Sequence, residues 1–247
     1  MGFKLINIMS GNSLKIIMKR IEGLIIPFDY NYYLSLNFYE KLSLYDKNIR
    51  KLHYKDSFSL HTFSNFISNN QKSGLNGLDI PNGFIIFRSL DKRLIDYLRL
   101  GLSINPLIRI INTKYVVTIV KDWKELGDVE KLNFRTLSPV LVRDFNSKNK
   151  YVDVPELVEK NLLAITNWQL SNLFKIKSPN LDIKLKNIRR KTVRISSRPE
   201  SISKTVGFEF EGTMTGDPSA LKVIYYRGLG SKTGLGLGLI EVVQNAN

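Results

Sequence analysis

LKVIYYRGLGSKTGLGLGLIEVV, Leu221 to Val243, is the stretch from which the rest of the chain is read. Two apolar, strand-like runs enclose a loop that holds Gly228, Gly230, Gly234, Gly236 and Gly238. Four of these, Gly228, Gly230, Gly236 and Gly238, follow the pattern G-x-G-x5-G-x-G. Glycine accepts positive φ, and without a Cβ it lets a backbone or a phosphate come close. Successive N–H groups in such a loop can form an anion-binding concavity, which Arg227 and Lys232 would reinforce. The alternative is a plain glycine-rich hairpin. Two nucleotide loops are excluded. A Walker loop needs glycine directly before its lysine, but Lys232 follows Ser231, and position 226 is a tyrosine. A dinucleotide fingerprint begun at Gly228 would place its third glycine at Thr233.

Composition narrows the partner. The chain has 37 Lys and Arg against 22 Asp and Glu, a formal charge of +15, which favours a polyanion. No apolar run approaches the ~18 residues of a membrane span. Met1–Ser10 also lacks the apolar core and cleavage site of a signal peptide. Nucleic acid is therefore the expected partner, with no membrane role and a cytoplasmic location. Cysteine is absent, which excludes disulfides, zinc–thiolate sites and a cysteine nucleophile. His53 and His61 are the only imidazoles, and no acidic cluster accompanies them. Neither a metal site nor another cofactor is expected, and any nuclease chemistry should be metal-free.

The remaining chain reads as two similar halves. Leu14–Ile21 alternates as a strand, and Asn31–Leu44 has the apolar spacing of a helix. Phe58–Ile67 reads as a strand, Gln71–Gly83 as a loop and Gly83–Leu90 as a strand. Asp91–Gly101 reads as a helix with an acidic start and a glycine stop, followed by the β-rich run Ile108–Val120. The order β-α-β-β-α-β is ferredoxin-like, and such a sheet offers one open face as used by RNA-recognition domains. Asp122–Lys131, charged and containing Gly127, reads as a linker. Beyond it come Phe134–Val142, a strand interrupted by Pro139, and a helix from Pro155 to about Asn172. A hairpin of Leu181–Ser196 and Ser203–Gly212 precedes the glycine loop. The expected fold is α+β, two tandem ferredoxin-like domains over 1–125 and 131–247, with a C-terminal glycine-rich loop.

A terminal double Gly-x-Gly loop between apolar flanks resembles the CRISPR-associated endoribonuclease family, of the RAMP superfamily, that cuts repeat RNA into guides. The segment YNYYLSLNFYEKLSLYDKNIRKLHYKDSFSLHTFS (Tyr30–Ser64) resembles it too. The matching positions are Tyr39 in the helix, Leu52-His53 after it and Thr62-Phe63-Ser64 in the strand. The resemblance implies that the glycine loop lies against RNA and that Tyr39 and His53 take catalytic roles. The family's third catalytic residue is a lysine, and the aligned position here holds Ser59; Lys55 or Lys51 is the substitute. Such a set implies metal-free transesterification, in which the RNA 2′-hydroxyl attacks the neighbouring phosphate. A group near neutral pKa, such as histidine at ~6.5, moves protons, and a cation steadies the phosphorane. The products would be a 2′,3′-cyclic phosphate and a 5′-hydroxyl.

Each residue also has a plainer reading. His53 could be structural, Tyr39 core and Lys55 a solvated charge. His61 sits where the family carries an aromatic residue and is read as packing. The run KLKNIRRKTVR holds Lys184, Lys186, Arg189, Arg190, Lys191 and Arg194 without an acidic residue. On a hairpin, alternation would present several of them to a phosphate backbone, although such runs are usually solvated. Lys15, Lys19 and Arg20 are weaker candidates. Two rivals to the nuclease stay open: a non-catalytic subunit that holds repeat RNA, favoured by Ser59, and a general RNA chaperone or ribosome-associated protein. A CRISPR effector complex and a homodimer are further assemblies open to the protein.

Overall fold

The computed structural model describes residues 11–46, 59–147, 150–198 and 201–243; side chains of 194–198 and 201–202 lie outside the description. In the first strand, β1 (Ser13–Glu22), Leu14, Ile16 and Met18 point to the core while Lys15, Ile17 and Lys19 take the other face. Helix α1 (Tyr30–Ser43) follows, then β2 (His61–Phe63), a two-stranded ribbon of β3 (Lys72–Ser73) and β4 (Leu78–Asp79), and β5 (Asn82–Ser89). Helix α2 (Lys92–Ile104) starts at Asp91, whose carboxylate accepts from the Arg93 N–H at 3.0 Å. It runs through Gly101 instead of stopping there. At this crossing a Cβ on residue 101 would lie 2.7 Å from the Lys41 carbonyl oxygen of α1, so the glycine serves close helix packing. β6 (Leu107–Ile110) and β7 (Thr113–Asp122) complete the half.

The first sheet has the order β2-β5-β1-β7-β6, with every pairing antiparallel. Leaving aside β6, this is the ferredoxin-like order, and both helices pack on one face around Leu14, Ile16, Phe38, Phe87 and Leu98. The expected strand over Phe58–Ile67 is shorter among the described residues, His61–Phe63, because the Ser64 hydroxyl takes over the Ile86 N–H at 3.0 Å.

The second half repeats the plan with β8 (Lys131–Thr136), α3 (Val158–Asn172), β9 (Asp182–Arg198), β10 (Ser201–Thr215), α4 (Pro218–Arg227) and β11 (Ile240–Val242). Its sheet order is β11-β8-β10-β9, again ferredoxin-like. Pro155–Leu157 forms a single 3-10 turn that leads into α3. A further expectation fails here. The apolar run before the glycine loop, from Leu221 to Arg227, is helix and not strand. Its β-branched and aromatic composition suits a strand, but Pro218 opens a helix, and Leu221, Ile224 and Tyr225 are buried at three-and-four spacing.

The halves are joined through Arg88 of β5. It is 1% exposed, its Nη1 donates to the Ile240 carbonyl at 2.6 Å, and its guanidinium lies 3.7 Å from the Tyr225 ring centroid. Burial lowers the pKa of this guanidinium. The hydroxyl of Tyr225 donates to the Lys124 carbonyl at 3.0 Å, which fastens the connecting segment to α4.

Candidate functional site

The glycine pattern is built as a positive-φ pattern: Gly228, Gly230, Gly236 and Gly238 have φ of 89°, 75°, 74° and 76°. Its purpose differs from the expectation. The loop is folded onto the protein, and its backbone donors are largely used there. Leu229 N–H donates to the Gly238 carbonyl, Ser231 N–H to Leu141, and Gly238 N–H to Pro139, at 2.8, 2.9 and 2.9 Å. A Cβ on Gly238 would meet the Leu229 carbonyl oxygen at 2.0 Å, and one on Gly236 would meet the Phe63 ring at 2.3 Å. These donors therefore form no open anion-binding concavity. What remains exposed is the apex at Lys232, itself left-handed at φ 59°.

Arg227 does not reinforce the loop's outer face. It is 5% exposed, directed between α3 and α4, where Nη1 donates to Gln169 Oε1 at 3.1 Å. Burial lowers its pKa to about 10. The helical form of Leu221–Arg227 is what turns this side chain inward.

The loop docks on the first half of the chain. Thr62 of β2 donates its hydroxyl to the Leu237 carbonyl at 3.0 Å, and Asn31 of α1 donates to the Gly236 carbonyl at 3.3 Å. At Gly234 a Cβ would lie 2.9 Å from Ser59 Oγ and 3.4 Å from the Tyr39 hydroxyl. The loop, Tyr39 and Ser59 thus meet at one point, with Tyr39 supplied by α1 and Ser59 by the entry to β2. Tyr39 is 9% exposed, and burial pushes its phenol up to about 12. At neutral pH it keeps its proton, as a phenol at its ordinary value near 10 also would, and so it can donate a hydrogen bond.

His61 packs as expected, stacked on Phe87 at 5.2 Å and edge-on to Tyr39 at 5.5 Å between ring centroids. Sequence reasoning missed its second contact, Nδ1 at 3.1 Å from Ser59 Oγ. The signal was available: in extended chain, residues i and i+2 share a face. His53, Lys55 and Lys51 lie outside the described residues. Among the described residues no cluster of three His, Asp or Glu could hold a metal.

The basic strand is sorted by its register. Lys184, Lys186, Arg189 and Lys191 pair with Thr213, Glu211, Glu209 and Gly207, alternate residues of β10 that share one face. A bulge at Asn187, with φ of 55°, keeps Arg189 and Lys191 in phase with the two lysines before it. Arg190 pairs with the core residue Phe208 and takes the opposite face. The backbone of Arg194 pairs with Lys204, and its side chain lies outside the description. Carboxylates already accompany Lys191, 3.2 Å from Glu209, and Lys184, 3.7 Å from Glu159. The row ends at Val193, which packs with Leu141 and with Leu237 of the glycine loop. The basic face and the loop therefore adjoin.

Comparison with known proteins agrees with this architecture. Residues 25–121 match the family model "CRISPR-associated protein Cas6, N-terminal", and residues 123–242 match "CRISPR associated protein Cas6, C-terminal". A curated relative in Pyrococcus furiosus, named CRISPR-associated endoribonuclease Cas6, is 26% identical over 227 residues, covering 89% of this chain and 84% of the relative. The solved structure of a Cas6-related gene product from Pyrococcus furiosus superposes with a TM-score of 0.81 at 22% identity, covering 96% of this chain and all of that one. A structure described as a RAMP protein binding different RNA substrates gives 0.78 at 22% identity, covering 94% and 99% of the two chains. Tandem ferredoxin-like halves, the interdomain loop and two adjoining family models that span residues 25–121 and 123–242 lead to one assignment: this chain belongs to the CRISPR-associated Cas6 family.

Proposed function

We propose that the protein is a metal-independent endoribonuclease that cuts CRISPR repeat transcripts, built from units 1–125 and 131–247, with Tyr39 of its catalytic set placed where they meet. The observation that carries this reading is the meeting of Tyr39, Ser59 and Gly234 beneath a loop from the other half of the chain. A relative named an endoribonuclease supports it. Tyr39, a protonated phenol at neutral pH, donates a hydrogen bond to the scissile phosphate or the reacting 2′-hydroxyl. His53 transfers protons, since an imidazole near pKa ~6.5 can both take the 2′-hydroxyl proton and protonate the leaving 5′-oxygen. Lys55 supplies the positive charge that steadies the phosphorane. The bond between phosphorus and the 5′-oxygen breaks as the bond to the 2′-oxygen forms, giving a 2′,3′-cyclic phosphate and a 5′-hydroxyl. Lys232 and the face bearing Lys184, Lys186, Arg189 and Lys191 hold the RNA backbone.

The test is to incubate labelled repeat RNA from the encoding genome with the protein in EDTA. One discrete cut whose upstream product resists phosphatase until the cyclic phosphate is opened is the expected result. Ser59, where the family has lysine, favours a second reading in which the protein holds repeat RNA without cutting it. Selective binding with no product would establish that reading instead. A CRISPR effector complex and a homodimer are the further assemblies we propose for the bound product.

A further inference from the structure

Ser59 Oγ has three contacts to one residue. The His61 backbone N–H donates to it at 3.2 Å, its own hydroxyl reaches the His61 carbonyl at 3.0 Å, and His61 Nδ1 lies at 3.1 Å. The imidazole cannot swing away, because Phe87 stacks on it and Tyr39 meets it edge-on. It is 4% exposed, whereas Ser59 is only half-buried and borders Gly234 and the Tyr39 hydroxyl.

A hydroxyl has two acceptor positions and one hydrogen. With a proton on Nδ1, the imidazole and the backbone N–H fill both acceptor positions of Ser59 Oγ. The hydroxyl hydrogen is then its one remaining capacity, and it can leave the His61 carbonyl for an oxygen beside the loop. Two donors directed into Oγ also polarise that O–H bond. Such a hydroxyl is suited to a non-bridging phosphate oxygen.

We infer that Ser59 and His61 work as a couple: Ser59 donates to the scissile phosphate at the position the family fills with lysine, and His61 is the positioning residue that orients it. The inference rests on the proposed cleavage. The couple would supply orientation and a hydrogen bond beside the charge of Lys55.

The experiment compares wild type with Ser59→Ala, His61→Phe, Ser59→Lys and the Ser59→Lys/His61→Phe double variant. Phenylalanine keeps the stacking surface on Phe87 and removes the nitrogen. Single-turnover cleavage of repeat RNA at saturating protein is measured beside RNA affinity. Ser59→Ala and His61→Phe should each slow cleavage by about 10- to 100-fold, with affinity unchanged within twofold. In the Ser59→Lys background, His61→Phe should leave the rate unaltered, because the lysine no longer needs orienting. An unchanged rate in His61→Phe alone overturns the inference. Equal slowing in both backgrounds also overturns it, since packing would then be the whole role of His61. Wild type that binds repeat RNA and makes no cut removes the nuclease reading itself, and the couple with it.

Discussion

Gly236→Ala separates two explanations of the glycine loop. In one, glycines admit a phosphate; in the other, they let the loop settle on its own protein. Residue 236 has φ of 74°, and holding a non-glycine residue there costs about 1–2 kcal/mol. Its new methyl would lie 2.3 Å from the Phe63 ring, a fully buried side chain in contact with Phe38, so the ring or the loop must move. Overpacking of this kind costs about 1–3 kcal/mol. Together these give roughly 2–5 kcal/mol. At ~2–4 °C per kcal/mol for a chain of this size, the melting temperature should fall by about 4–20 °C. The assay is thermal unfolding by circular dichroism without RNA, with repeat-RNA affinity measured alongside. A melting temperature within 1 °C of wild type, with lost affinity, would refute the packing explanation and restore the phosphate one.

Tyr39→Phe should fold normally and slow single-turnover cleavage by about 10- to 100-fold, since only the hydroxyl is lost. Because burial raises the phenol from 10 to about 12, the folded state favours its protonated form. That contribution to stability is complete below pH 10 and is lost as pH rises from 10 toward 12; urea unfolding of wild type and Tyr39→Phe across this window should show it, and parallel curves would refute it. Arg189→Gln should weaken RNA binding and lower the slope of log affinity on log salt by about 0.7. Arg190→Gln, on the opposite face of β9, should change neither; equal effects of the two would show that the face assignment is wrong. Arg88→Met should cost about 1–3 kcal/mol in urea unfolding, as it leaves the Ile240 carbonyl buried without its donor; a loss under 0.5 kcal/mol would count against Arg88 as the tie between halves.

Much of the fold was legible because local periodicity and tertiary burial agree. β1 alternates cleanly, and α1 and α3 bury residues at helical spacing where the sequence places them. The misread elements are those where composition and burial disagree. Leu221–Arg227 is rich in strand-forming residues yet helical, and in the sequence only Pro218 and the three-and-four spacing of Leu221, Ile224 and Tyr225 point to the helix. Gly101 resembles a stop but exists for the α1 crossing. The same division holds at the site. The place of Tyr39 in its helix and the positive φ of the four patterned glycines could be read directly. The loop's resting place could not, since the bond from Thr62 to Leu237 joins residues 175 apart and forms only when the halves dock. Arg227 was misplaced because its direction depends on the helix that carries it.

Metal-free attack by the 2′-hydroxyl is tested by single-turnover cleavage in EDTA of two repeat RNAs that differ in one atom, the 2′-oxygen at the cut site. One cut in the all-ribose RNA and none in the 2′-deoxy RNA is the expected result, with equal binding of both. Cleavage of the 2′-deoxy RNA at the same position, or a cut in neither until a divalent metal is added, would contradict it.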